Sequence, residues 1–140
     1  MPNLPAFNDL GLKPELLSNL EAIGYKAMTL VQARTLPKLL AGEDVLARAR
    51  TGSGKTAAFG LALLNTLDAT SYRVQALVLC PTRELADQVT NEMRRLARAM
   101  PNIKVLSLCG GVPLGPQVAS LQHSPHVIAG TPGRVLKHLK

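Results

Sequence analysis

Short continuous apolar runs alternate along this chain with longer segments in which apolar residues recur every three or four positions. The first rhythm belongs to strands covered on both faces, the second to amphipathic helices. Four runs predict strands: 44–49, opening on Val45-Leu46-Ala47; then 73–80, 103–109 and 126–129. Lys13-Pro14-Glu15 opens a predicted helix through Leu16, Leu17, Leu20 and Ile23, with Gly24 as its stop. Thr29 and Gln32 form a Thr-x-x-Gln capping box before a second helix, which Pro37 interrupts or kinks and Gly42 ends. A third helix, after a Gly-rich loop, turns Phe59, Leu61, Leu64 and Leu67 inward. In a fourth, Leu85, Val89, Met93, Leu96 and Met100 make one stripe, with Thr82 as N-cap and Arg94, Arg95 and Arg98 on a solvated opposite face. A weaker helix spans 117–122, and Thr131-Pro132-Gly133-Arg134 opens a last one reaching Lys140. Residues 1–12 read as extended. The fold class is α/β: an open, mainly parallel sheet with helices on both faces.

Composition narrows the picture. The 140 residues are 46% hydrophobic and 18% charged, which suits one globular domain with a buried core. Aromatics are 3%, so that core is aliphatic. No apolar run approaches the roughly 18 residues of a membrane helix, and MPNLPAFNDL lacks the pattern of an export signal. Sixteen Lys and Arg against nine Asp and Glu give a net charge of +7, which favours a polyanionic partner such as nucleic acid. Cys80 and Cys109 are too few for a zinc site or disulfide framework and read as buried reduced thiols. A cytoplasmic location is expected. His123, His126 and His138 have no ligand-like neighbours and are assigned no role.

The candidate chemistry centres on Asp44–Leu67, DVLARARTGSGKTAAFGLALLNTL. Strand, small-residue loop and helix follow one another there. Gly52 and Gly54 let backbone N–H groups approach a phosphate chain, and the helix start at Gly54 turns free N–H groups toward the same anion. Lys55 is placed to reach outer phosphates, and Thr56 offers a hydroxyl to magnesium. The strict G-x-x-x-x-G-K-[ST] pattern fails at one point, since Ala49 stands in for its first glycine.

Three further loops follow predicted strands: Pro81-Thr82-Arg83-Glu84, Gly110-Gly111 and Thr131-Pro132-Gly133-Arg134. In a parallel sheet such loops gather at the carboxyl edge, where ligands bind, so the phosphate loop, PTRE, the glycine pair and TPGR are expected to share one rim. PTRE and TPGR each set helix N–H groups beside an arginine, which suits either ordinary helix capping or a phosphate backbone. Gln32 likewise has two readings, as capping-box partner or as an amide reading an adenine edge.

Five motifs stand in one order: GYKAMTLVQ, ARTGSGKT, PTRELA, GG and TPGR, with Phe7 as an isolated aromatic upstream. Together they resemble the first half of the N-terminal RecA-like domain of a DEAD-box RNA helicase, from Phe7 to Lys140. In that family Ala49 is itself the usual residue. Met28 in MTLVQ, with ALVLCPTRELADQV and LQHSPH, is similar to the bacterial DbpA-type subgroup. The resemblance implies that residues 1–43 flank the domain and carry the adenine-recognition motif, while 44–140 begin the ATP-binding RecA-like fold. It implies that Gln32 reads adenine, with Phe7 packing on the base, Thr29 supporting the loop and Tyr25 counted with the nucleotide-binding residues. Thr51, Gly52, Ser53, Gly54, Lys55 and Thr56 would hold ATP phosphates and Mg2+, with Lys55 and Thr56 catalytic and Thr56 on the metal. Pro81, Thr82, Arg83, Gly110, Gly111, Thr131, Gly133 and Arg134 would contact RNA. The implied activity is RNA-stimulated ATP hydrolysis coupled to duplex opening, in the DbpA type on large-subunit ribosomal RNA. DNA and membrane partners are not expected.

The chain stops before the family's Asp-Glu-Ala-Asp motif, and no Asp or Glu follows Glu92. The second RecA-like domain and its arginine finger are also absent. The expectation is a piece of a larger enzyme that does not hydrolyse ATP alone, with an unfilled slot beside the phosphate-loop strand. Two rivals remain: a non-catalytic nucleotide- or RNA-binding fragment, and a P-loop small-molecule kinase, which has no use for PTRELA and TPGR.

Overall fold

The structure, a computed structural model, describes residues 6–50, 52–111 and 113–140. The chain divides into two compact units. One takes in the chain up to Thr66 together with Arg95–Met100, the other Leu67–Arg94 with Pro101–Lys140.

In the first unit, a 3₁₀ turn at Phe7–Leu10 replaces part of the extended segment expected there. The Ala6 N–H donates to the Asp9 carboxylate at 3.1 Å, and Gly11 closes the turn at φ 75°. Helix α1, Pro14–Ala22, starts on its proline and buries Leu16, Asn19 and Leu20 on one face. The buried Asn19 amide donates to the Arg95 and Leu96 carbonyls at 2.7 and 2.9 Å. Helix α2, Leu30–Leu40, has Thr29 as its N-cap and both bonds of the capping box. Pro37 is accommodated inside α2, and Gly42, at φ 84°, follows its end. Helix α3, Lys55–Thr66, buries Leu61 and Leu64 on its apolar face, while Phe59 stays half-buried instead of fully inward.

The expected strand at 44–49 does not form. Residues 43–50 carry no regular structure, and Leu46 is fully exposed. A strand exists only through ladder bonds to a neighbour, and the one sheet among the described residues leaves this segment out.

That sheet lies in the second unit. Strands β1 (Ala76–Leu79), β2 (Val105–Leu108) and β3 (Val127–Gly130) run parallel in the order β1-β3-β2. Leu79 and Leu108 both stand opposite Gly130, so the three strands end level. Central β3 is buried at every position, as its unbroken apolar run requires. Strands β1 and β2 are shorter than the runs 73–80 and 103–109, because pairing stops where the loops turn away, while β3 keeps four residues, one position later than 126–129.

Helix α4, Arg83–Leu96, follows β1; α5, Leu114–Leu121, follows β2; and α6, Pro132–Leu139, follows β3. On α4 the buried stripe is Ala86, Val89, Thr90, Met93 and Leu96, whereas Leu85 is exposed. The arginines are not merely solvated. Arg94 donates twice to the Val105 carbonyl, at 3.2 and 2.8 Å, and the Arg95 guanidinium lies over the Tyr25 ring, 5.3 Å from its centre. Leu108, Ile128 and Val135 form a core cluster under the carboxyl end of the sheet.

Candidate functional site

The capping box at the start of α2 does more than cap. The Thr29 N–H donates to Gln32 Oε1 at 2.9 Å, and the Gln32 N–H donates to Thr29 Oγ1 at 3.3 Å. The same glutamine turns its Nε2 to the Gly54 carbonyl at 3.2 Å. Gln32, 4% exposed, thus ties the helix cap to the phosphate loop. Gly54 has φ 88°, and a Cβ there would run into Gln32 Nε2. Gly52 has φ 82° with open space around it, so its backbone angle alone calls for glycine.

Lys55 and Thr56 open α3, whose first N–H groups have no partner within the helix. Lys55 Nζ donates to the Ala49 carbonyl at 2.7 Å, folding the ammonium back over its own loop. Ser53 Oγ is buried without a hydrogen-bond partner among the described residues. An orphaned hydroxyl in a glycine loop, beside unpaired helix N–H groups and a lysine, fits a phosphate chain. Among the described residues no cluster of three His, Cys, Asp or Glu is placed to hold a metal. The Thr56 hydroxyl is a hard oxygen donor at the start of α3, of the kind that fits a cation shared with phosphate. Thr51 lies outside the described residues. Phe7 is packed into the core and, with Tyr25, lines a cavity of about 360 Å3; Gln32 is not among its lining residues.

In the second unit, the loops after β1, β2 and β3 meet at one edge of the sheet, as expected for three of the four loops; the phosphate loop belongs to the first unit. Thr82 caps α4, its Oγ1 accepting from the Leu85 N–H at 3.2 Å. Arg83 reaches across to the glycine pair: a Cβ on Gly111, which has φ 83°, would lie 3.4 Å from Arg83 Nη1. Pro81, Thr82 and Arg83 are exposed. Thr131 occupies the N-cap position of α6 without a side-chain capping bond. Its Oγ1 instead faces the Gly110 N–H at 3.4 Å. Capping therefore accounts for Thr82 but not for Thr131. Gly133 is exposed, and Arg134, half-buried, donates from Nη1 to Gln117 Oε1 at 3.0 Å.

Gln117 was no motif residue; the only signal was an amide within a weak helical stripe. It also receives His138 at 2.9 Å. Burial, then the Arg134 charge, lowers the His138 pKa. Cys80 and Cys109, both buried free thiols, directly follow β1 and β2 at the start of the edge loops. Burial and, secondarily, Cys109 raise the Cys80 pKa.

The sequence profile described as DEAD/DEAH box helicase matches residues 29–140. The ATP-dependent RNA helicase DbpA of Escherichia coli (strain K12) is 61% identical over 138 residues, covering 98% of this chain and 30% of that protein. The DEAD-box ATP-dependent RNA helicase CshA of Bacillus cereus (strain ATCC 10987 / NRS 248) is 42% identical over 136 residues, covering 97% and 26%. A DEAD box protein from the hyperthermophile Methanococcus jannaschii superposes with a TM-score of 0.89 at 36% identity, over 96% of this chain and 36% of that one. S. cerevisiae Dbp5 bound to RNA and ADP BeF3 gives 0.85 at 32% identity, over 96% and 34%. The chain thus spans about a third or less of the relatives it matches. With a glycine loop tied to a capping-box glutamine and three strand-end loops on one sheet edge, it belongs to the DEAD/DEAH box helicase family.

Proposed function

We propose that these residues are the first part of the ATP- and RNA-binding core of an ATP-dependent RNA helicase. The observation that carries this reading is the Gln32 bridge, with Oε1 on the Thr29 N–H and Nε2 on the Gly54 carbonyl. An amide oxygen has two acceptor sites and an amide nitrogen two hydrogens, so one of each remains after these bonds. That pair matches the N6–H donor and N7 acceptor of adenine. A nucleotide read by Gln32 would thereby be coupled to the conformation of the phosphate loop.

The residues divide the work by chemistry. Gly52, Ser53 and Gly54 cradle phosphate with backbone N–H groups and the Ser53 hydroxyl. Lys55 leaves the Ala49 carbonyl to pair with the outer phosphates, and Thr56 supplies its hydroxyl to Mg2+. Bound Mg2+ would contribute charge neutralisation on the transferring phosphoryl group. Phe7, Tyr25 and Thr29 support the base side, and Thr51 belongs with the phosphate loop. Pro81, Thr82, Arg83, Gly110, Gly111, Thr131, Gly133 and Arg134 take the RNA sugar-phosphate backbone, which makes the grip largely blind to sequence.

Ribosomal RNA as the target rests on the resemblance of MTLVQ, ALVLCPTRELADQV and LQHSPH to the DbpA type, and a cytoplasmic setting rests on Cys80 and Cys109 as free thiols. Hydrolysis and duplex opening are assigned to the whole enzyme, with the remainder of the core as an obligatory partner.

Calorimetric titration with ADP and GDP, beside Gln32→Ala and Lys55→Ala, tests the reading. Adenine-selective binding that both variants lose is the expected result. Equal binding of ADP and GDP would remove the role given to Gln32 and favour a kinase.

A further inference from the structure

We propose that Gln117 is a positioning residue for RNA binding, whose side-chain amide holds the Arg134 guanidinium in place at the sheet edge without neutralising its charge. This rests on the reading above that Arg134 meets an RNA phosphate.

Gln117 lies on α5, outside every sequence motif, and is 7% exposed. A buried amide must satisfy both of its ends. Its Nε2 donates to the Cys109 carbonyl at 3.1 Å, one residue before Gly110. Its Oε1 accepts from Arg134 Nη1 at 3.0 Å and faces His138 Nε2 at 2.9 Å. An amide oxygen carries no hydrogen, so His138 must be the donor, with its proton on Nε2. The two donors fill both acceptor sites of Oε1. Turning the amide over would set its NH2 group against Arg134 and His138 and its oxygen against the Cys109 carbonyl. One orientation is therefore locked.

The choice of an amide has an electrostatic consequence. A carboxylate at this position would form an ion pair with Arg134 and compete with phosphate for it. A neutral oxygen orients the guanidinium and sets no opposing charge against it. Fixing that orientation beforehand reduces the side-chain entropy lost when the phosphate arrives. His138, with its lowered pKa, adds a donor to the cluster as a neutral ring near pH 7. By bonding Cys109 and Arg134 at once, Gln117 also ties the loop carrying Gly110 and Gly111 to the loop carrying Thr131 and Arg134.

The test uses the intact helicase that contains these residues and a fluorescein-labelled single-stranded oligouridylate. Anisotropy titrations at several salt concentrations compare Gln117→Met, Gln117→Glu, Arg134→Ala and the double variant Gln117→Met/Arg134→Ala. Gln117→Met should weaken binding about tenfold, the scale of one lost hydrogen bond to a charged group. Gln117→Glu should weaken it too and also flatten the salt dependence. Its slope should fall by about 0.7, the value of one single-strand phosphate contact, as in Arg134→Ala. A loss of packing alone would not change that slope. The double variant should bind no more weakly than Arg134→Ala. Should Gln117→Met lose its cooperative melt, Gln117→Glu carries the test, because it keeps an acceptor for both neighbours. Wild-type affinity and slope in the Gln117 variants, with Arg134→Ala weakened, would overturn the role of Gln117 and leave the RNA reading standing. Additive losses in the double variant would overturn it as well. Wild-type binding by Arg134→Ala would overturn the RNA reading of that residue and this proposal with it.

Discussion

The ammonium of Lys55 rests 2.7 Å from the carbonyl oxygen of Ala49. Ala49 fills the place of the first glycine in the strict phosphate-loop pattern. Nucleotide binding must exchange this bond for one to phosphate. Lys55→Met is expected to lower ADP affinity at least tenfold, the loss of about one charge-assisted bond. Its melting temperature should barely move, since the bond lost is at a half-buried loop. Calorimetry beside a thermal melt checks both, and an unchanged affinity would remove Lys55 from the phosphate site.

The two loop glycines should respond differently to alanine. At Gly52 only the backbone angle resists, at about 1–2 kcal/mol for a left-handed residue with a Cβ. At Gly54 that strain is joined by a collision with Gln32 Nε2, which breaks the link between capping box and loop. Gly54→Ala should therefore destabilise by about 3 kcal/mol and Gly52→Ala by less. Urea unfolding gives the order; a reversed order would mean that the Gln32 contact does not constrain the loop.

Two groups with shifted pKa values, buried Cys80 and half-buried His138, predict opposite pH dependences. The Cys80 pKa lies above the ordinary thiol value because burial, then Cys109, disfavours the thiolate. Its stabilising contribution is full below the unfolded thiol pKa and is lost as pH rises through the folded one. Alkylation of Cys80 in the folded chain should accordingly be slow near pH 8 and accelerate only at higher pH. The His138 pKa lies below 6.5, through burial and the nearby Arg134 charge. That contribution is full above the unfolded value and is lost as pH falls through the lowered one. Proton NMR of the His138 ring should place its midpoint below 6.5; a midpoint above it would show that neither burial nor the Arg134 charge governs the ring.

The 140-residue chain alone should show no RNA-stimulated ATP hydrolysis. Lys55 and Thr56 are present, but no Asp or Glu follows Glu92 to set an attacking water, and charge-stabilising groups account for factors of about 10³–10⁵ in such reactions. The unpaired 43–50 segment, with Leu46 bare, also leaves the phosphate loop without a strand beneath it. A phosphate-release assay on purified chain decides this. Turnover that disappears in Lys55→Ala would show that the fragment is already an active site.

Much of this protein is determined by neighbours within a few residues. The Thr29–Gln32 capping box, the proline start of α1 and the positive-φ glycines at 42, 52, 54 and 111 are local matters, legible in the chain as written. So are the three apolar runs that become β1, β2 and β3, and hence the strand-end loops that meet at one edge. What depended on distant neighbours was not legible. Val45-Leu46-Ala47 has the composition of a strand and remains unpaired, because hydrogen-bonded partners make a strand and the one described sheet offers it none. Leu85 fits the α4 stripe by spacing and stays exposed, while Ala86 and Thr90 take the buried face. Thr131 has the spelling of an N-cap and turns its hydroxyl to Gly110. Gln117 carries no motif, yet it receives Arg134 and His138 from another helix and donates to the end of β2. Periodicity and caps are written into consecutive residues; strand partners and shared hydrogen bonds exist only once the chain has folded back on itself.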